Sequence, residues 1–141
     1  MKLVFWIFSL LSMTSFVNPP VEGTLLITVE NVKVDQGKIM LAIYSDDQEF
    51  LSETNYRSIH HEVNEFGTTK VEVPDLPFGM YAISIYHDEN NNGKLDTNFM
   101  KIPKEPYGFS NNARGMFGPP KVKEVQFSFS TMEQEIMIEI K

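Results

Sequence analysis

From His87 to Asp96 the chain carries oxygen-bearing side chains at alternate positions: Asp88, Asn90 and Asn92, then Gly93, and Asp96 three residues further on. A hard divalent cation takes six to eight oxygen ligands, and a turn bent at a glycine aims alternate side chains and a backbone carbonyl at one point. Asp88, Asn90, Asn92, the carbonyl of Lys94 and Asp96 are therefore a candidate calcium site. Phe99 stands at the position where an EF-hand loop ends on a bidentate glutamate. With two well-placed carboxylates, the expected Kd is weak, around 10⁻⁴–10⁻³ M. The same residues also read as a bare hairpin tip, because Asn-Gly favours one and Asx side chains satisfy their own turns without metal.

Residues 97–122 show no sustained period and hold Pro103, Pro106, Pro119 and Pro120 with Gly108, Gly115 and Gly118. A segment this long in a small domain is functional, disordered or wrapped over the body. Tyr107, Phe109, Asn111, Asn112, Arg114 and Phe117 are its candidate ligand-binding residues, aromatic anchors and polar groups of the kind that line sites for a sugar or peptide. In the other arrangement the three aromatics plug one end of the fold, while Asn111 and Asn112 bond orphaned backbone groups.

His60, His61 and His87 suit zinc or copper, but adjacent strand residues face opposite ways, so His60 and His61 cannot share an ion without a bulge. The chain has no cysteine, which excludes disulfides, thiol catalysis and zinc ribbons. No Gly-x-Ser-x-Gly, His-Glu-x-x-His or glycine-rich phosphate loop occurs, and no catalytic residue is assigned.

The elements that must position these groups read as strands. From Gly23 onward apolar residues recur at every second position: Leu25, Ile27 and Val29; Ile39, Leu41 and Ile43; Val71 and Val73; Tyr81, Ile83 and Ile85. Asp35-Gln36-Gly37 is a turn, Asp46 to Glu53 is a loop pinned by Phe50 and Leu51, and a weaker strand covers Arg57 to Val63. Val125, Phe127 and Phe129, then Ile136, Ile138 and Ile140, form the last two strands, joined by a hairpin at Ser130 to Glu133. About seven short strands with polar turns predict an all-β fold, a single antiparallel two-sheet sandwich with a long irregular loop before its last two strands.

Lys2 and the uncharged run Leu3 to Val17 precede Asn18-Pro19-Pro20. As a helix, that run would rise about 22 Å, short of the ~30 Å hydrocarbon core of a membrane. Residues 1–20 are expected to be a signal peptide cleaved between Ser15 and Pro20, leaving a domain over 21–141 with no transmembrane span, exported to the periplasm, envelope or exterior. Lys+Arg 12 against Asp+Glu 19 gives a net charge of −7, scattered along the chain, so nucleic acid is not an expected partner.

The runs Leu76-Pro77-Phe78-Gly79-Met80-Tyr81-Ala82-Ile83, Tyr86 to Asp96, Tyr107-Gly108-Phe109-Ser110-Asn111-Asn112 and Gly118-Pro119-Pro120 together resemble the DUF2141 family of small exported bacterial proteins, over roughly residues 24–140. The Leu-Pro-x-Gly-x-Tyr piece also recurs in transthyretin-like and carboxypeptidase-regulatory-like sandwiches, where a tyrosine after a proline–glycine turn ties the loop to the next strand. Tyr81 is similar in position to that tyrosine. The resemblance implies an immunoglobulin- or prealbumin (transthyretin)-like sandwich of the cell envelope and brings no activity. The expectation is an exported, non-enzymatic, calcium-stabilised binding or structural module whose partner is an envelope or extracellular protein or glycan. The alternative is a carbohydrate- or peptide-binding module or an enzyme with its site on the 97–122 loop.

Overall fold

The period-two pattern builds two facing sheets. A computed structural model describes residues 21–141, and the segment expected to be a signal peptide lies outside the described residues. The first sheet has β1 (Glu22–Val32) between β4 (Gly67–Pro77) and β8 (Glu133–Glu139). The second runs β3 (Arg57–Glu62), β2 (Lys38–Ser45), β5 (Gly79–Asp88), β6 (Tyr107–Phe109), with β7 (Phe127–Phe129) also paired to β5.

Register brings the apolar rows together. Leu25, Ile27 and Val29 of β1 lie opposite Val73, Val71 and Thr69 of β4, and Ile39, Leu41 and Ile43 of β2 lie opposite His87, Ile85 and Ile83 of β5. Because successive side chains alternate between faces, these rows point at the opposing sheet and close one core with Leu76, Phe129 and Ile138. Each such aliphatic side chain contributes about 1.5–3 kcal/mol on full burial, which holds the sheets together without disulfides. At the turn into β5 the Tyr81 hydroxyl donates to the Pro77 carbonyl at 2.9 Å, the tie expected of a tyrosine after this turn.

The all-β, two-sheet expectation holds, with corrections in its second half. The sheets are not wholly antiparallel, because β8 runs parallel to β1, with Ile136 beside Ile27 and Ile138 beside Val29. β4 already occupies the other edge of β1, so the chain's last strand closes the remaining edge. The expected hairpin at Ser130 to Glu133 is instead a crossing between sheets, since Phe127–Phe129 pairs with Gly79–Tyr81. Val125 does not join the next strand. It ends a single helical turn, α1 (Val122–Val125), which Glu124 closes by accepting the Lys121 N–H at 2.7 Å.

The 97–122 segment wraps over the outer face of the second sheet. Within it, Tyr107–Phe109 pairs with Ser84–Tyr86 of β5, and Phe109 and Val125 are buried there with Tyr44 and Ala82. Phe50 packs on this group as expected of a pinning residue, whereas Leu51 stays 41% exposed. Among the described residues no helix is long and apolar enough to cross a membrane.

Candidate functional site

β5 ends at Asp88, which is 1% exposed. Its Oδ1 accepts the Asn92 N–H at 3.0 Å and its Oδ2 the Gly93 N–H at 2.8 Å. The chain turns back through Asn91 and Gly93, both at positive φ, a conformation glycine adopts without steric penalty. Asn90 Oδ1 accepts the Asn92 N–H at 3.1 Å, and Asn92 Oδ1 accepts the Lys94 N–H at 2.8 Å. Asp96 is drawn in by the two amides, Asn90 Nδ2 donating at 2.6 Å and Asn92 Nδ2 at 3.0 Å. The structure thus gathers Asp88, Asn90, Asn92 and Asp96 on one turn with Lys94. No cluster of three His, Cys, Asp or Glu side chains with metal-holding geometry occurs among the described residues. Any cation here would rest on amide and backbone oxygens as much as on carboxylates, a donor set that suits calcium.

A residue passed over in the sequence holds this turn. Glu105 is buried, with Oε1 accepting the Glu89 N–H at 3.0 Å and Oε2 the Asp96 N–H at 2.9 Å. Its one sequence signal is a carboxylate set between Pro103 and Pro106, two residues that restrict the backbone around it. Burial first, then the negative charges of Asp88 and Glu105, raise the Tyr86 hydroxyl above its ordinary 10.0.

The histidines do not share a site. His87 is buried on the core side of β5, its Nε2 donating to the Gln36 carbonyl at 2.7 Å while Nδ1 has no partner among the described residues. It pins the β1–β2 turn, which packs so closely that a Cβ on Gly37 would run into the Asp88 carbonyl oxygen. His60 and His61 border two different cavities.

Leu95, from the oxygen-rich turn, is one wall of a cleft of about 380 Å³ on the outer face of the second sheet. Ser84, Tyr86, Tyr107 and Phe109 come from its strands, and Leu51, Pro103 and Pro119 come from the surrounding loops. Among the described residues, Lys101 is the single charge in the lining.

The six candidate ligand-binding residues divide. Tyr107 and Phe109 line the cleft and stack edge-to-face at 5.8 Å, with Phe50 at 5.9 Å from Phe109. They cover a sheet face rather than plugging an end of the sandwich. Asn111 Nδ2 donates to the carbonyls of Glu124 and Gln126 at 3.1 and 2.8 Å, and Asn112 Oδ1 accepts the Glu139 N–H at 2.8 Å. Arg114 donates to the Glu139 carbonyl at 3.0 Å and the Tyr107 carbonyl at 3.4 Å. These three bond backbone groups of neighbouring elements. Phe117 is 98% exposed, so it plugs nothing; the turn around Gly115 lifts it away from the body.

Compared with known families, residues 27–137 match the one described as uncharacterized protein conserved in bacteria (DUF2141). No curated protein and no solved structure matches the chain.

Proposed function

The chain belongs to the DUF2141 family, whose description names no activity, and we propose from its site that it is an exported, non-enzymatic binding module of the cell envelope with a calcium-organised cleft. One observation carries this reading. The turn that gathers Asp88, Asn90, Asn92 and Asp96 also supplies Leu95 to the cleft wall, so an ion fixing the turn fixes the wall. Calcium would rest on those four side chains and the Lys94 carbonyl, replacing the neutral amide N–H groups that face Asp96 with a full positive charge.

The cleft would take an apolar group of an envelope partner. A hydroxyl-rich sugar would meet few polar groups there beyond Ser84, the two tyrosines and Lys101. Asn111, Asn112 and Arg114 already serve backbone groups, so the cleft rather than these residues carries the reading. The apolar run after Lys2 supports export. The Tyr81 tie across its proline–glycine turn supports grouping the sandwich with the immunoglobulin- or prealbumin-like folds.

The test is calorimetric titration of calcium into the full chain and into Asp96→Asn. The expected result is one site with Kd around 10⁻⁴–10⁻³ M, weakened in the variant. An absent heat, or an affinity that Asp96→Asn leaves unchanged, would remove the ion from this turn.

A further inference from the structure

Three segments border the cleft, contributing Leu51, then Lys101 and Pro103, then Gly118 and Pro119 to its lining. The same segments carry exposed apolar side chains beside it: Leu51, Phe99, Met100, Ile102, Met116 and Phe117. Phe99 is 93% exposed and Met116 is 88% exposed. Soluble surfaces rarely gather large apolar side chains this way unless the patch meets another apolar phase.

The tips are held outward by structure. Asn98 Oδ1 accepts the N–H groups of Met100 and Ile102 at 2.9 and 3.0 Å. Its backbone N–H donates to the Ile102 carbonyl at 2.9 Å, and the Lys101 N–H donates to the Asn98 carbonyl at 2.9 Å. The loop is therefore closed on its own polar groups, with its apolar side chains left outside. The second knob turns at Gly115, where a Cβ would run into the carbonyl oxygens of Gly118 and Pro119. That tightness sets Met116 and Phe117 at the tip.

Charge distinguishes the 97–122 part of this rim. Residues 97–122 hold Lys101, Lys104, Arg114 and Lys121 against Glu105 alone, +3 within a chain of −7, so the remainder carries −10, including Asp46, Asp47, Glu49 and Glu53 in the loop that brings Leu51. Glu105 is buried. The ion pairs among the described residues are Lys38–Glu62 and Lys141–Glu139, so none of them neutralises this rim.

We propose that the rim is a membrane-docking face. Phe99, Met100, Ile102, Met116 and Phe117 enter the boundary between headgroups and acyl chains of a bilayer containing anionic lipid, and Lys101, Lys104 and Lys121 lie among the headgroups. A folded protein surface would need a separate pocket for each tip, whereas a fluid bilayer admits them singly. Apolar tips interleaved with lysines have the chemistry of an interfacial anchor. The proposal names what the rim meets and needs neither calcium nor a cleft ligand, so its failure and that of the calcium reading are separate results.

The chain has no cysteine, so single variants Phe99→Cys, Phe117→Cys and Phe66→Cys of the full chain each take one environment-sensitive fluorophore. Phe66 is exposed in the turn between β3 and β4, outside the rim. With vesicles of mixed phosphatidylcholine and phosphatidylglycerol, labels at 99 and 117 should shift to the blue while the label at 66 does not. Phosphatidylcholine vesicles alone should give no shift, and Lys101→Ala added to the 117-labelled protein should weaken partitioning about fivefold. Labels at 99 and 117 that remain in water, as attachment through residues 1–20 alone would leave them, would overturn the proposal. So would an equal shift at 66, or a shift provoked by an apolar peptide in solution but not by vesicles.

Discussion

The Glu105 carboxylate accepts the backbone N–H of Asp96 at 2.9 Å, and its other oxygen takes that of Glu89 at 3.0 Å. A single buried side chain thereby clamps both arms of the oxygen-rich turn. Asp88 does the same from inside the turn, through the N–H groups of Asn92 and Gly93. The turn is set by carboxylates bonded to backbone, while the Asp96 carboxylate is held by the side-chain amides of Asn90 and Asn92, contacts that an ion would replace.

Glu105→Gln tests the clamp. The amide keeps one acceptor and turns a donor toward one of the two N–H groups, so the loss is expected at about 1–3 kcal/mol, the usual penalty for a buried donor left unpaired. Urea unfolding measures it, and calcium affinity should fall in the same variant. A change below about 0.5 kcal/mol, typical of surface positions, would show that the turn does not depend on Glu105.

Two phenylalanines of one segment should behave oppositely. Phe109, 7% exposed and packed among Phe50, Tyr107 and Tyr44, should lose about 3–5 kcal/mol on truncation to Ala. Phe117, at 98% exposure, should lose less than about 0.5 kcal/mol. Denaturant midpoints of the two variants compare them directly.

These two residues also show where the sequence stops being legible. Phe109 and Phe117 look alike in a segment without period, and their difference comes from contacts distant in the chain: Phe109 pairs opposite Ser84 on β5, while Phe117 rides a turn closed by Gly115. The long strands were readable because alternation over Leu25 to Val29 or Ile39 to Ile43 is a local consequence of facing a core. The partner of each strand was not, since Ile136 beside Ile27 in parallel depends on which sheet edge remains open. At the turn, alternate oxygens and Gly93 marked the site, but Glu105 is seen only once β6 is placed on β5 and brings its neighbours beside Asp96.

Tyr86 predicts an alkaline limit. Its folded value lies above 10.0, so folded and unfolded chains hold the proton alike well below that pH. As pH rises past 10.0, the unfolded state ionises first, and the stability is lost as pH climbs through the folded value. Tyr86→Phe should lessen the loss seen by circular dichroism above pH 10. Tyr81, also raised by burial and then by Tyr56, should leave a residual decline. Calcium beside Asp88 would offset one of the charges that raise Tyr86 and lower the tyrosine titration toward its ordinary value, which ultraviolet absorbance of tyrosinate would follow.

If calcium holds the Asp88–Asp96 turn, a thermal melt of the full chain should register the ion. The melt is run in chelator, in calcium and in magnesium, on the parent and on Asp96→Asn. At a hundred times Kd the ion should stabilise the fold by about 2.7 kcal/mol, a rise of several degrees in Tm. Magnesium should do little, because it demands near-octahedral geometry and releases water reluctantly. The parent should show a calcium-specific rise that largely vanishes in Asp96→Asn. A parent Tm indifferent to calcium, or a rise that magnesium reproduces or Asp96→Asn keeps in full, would remove calcium from this turn.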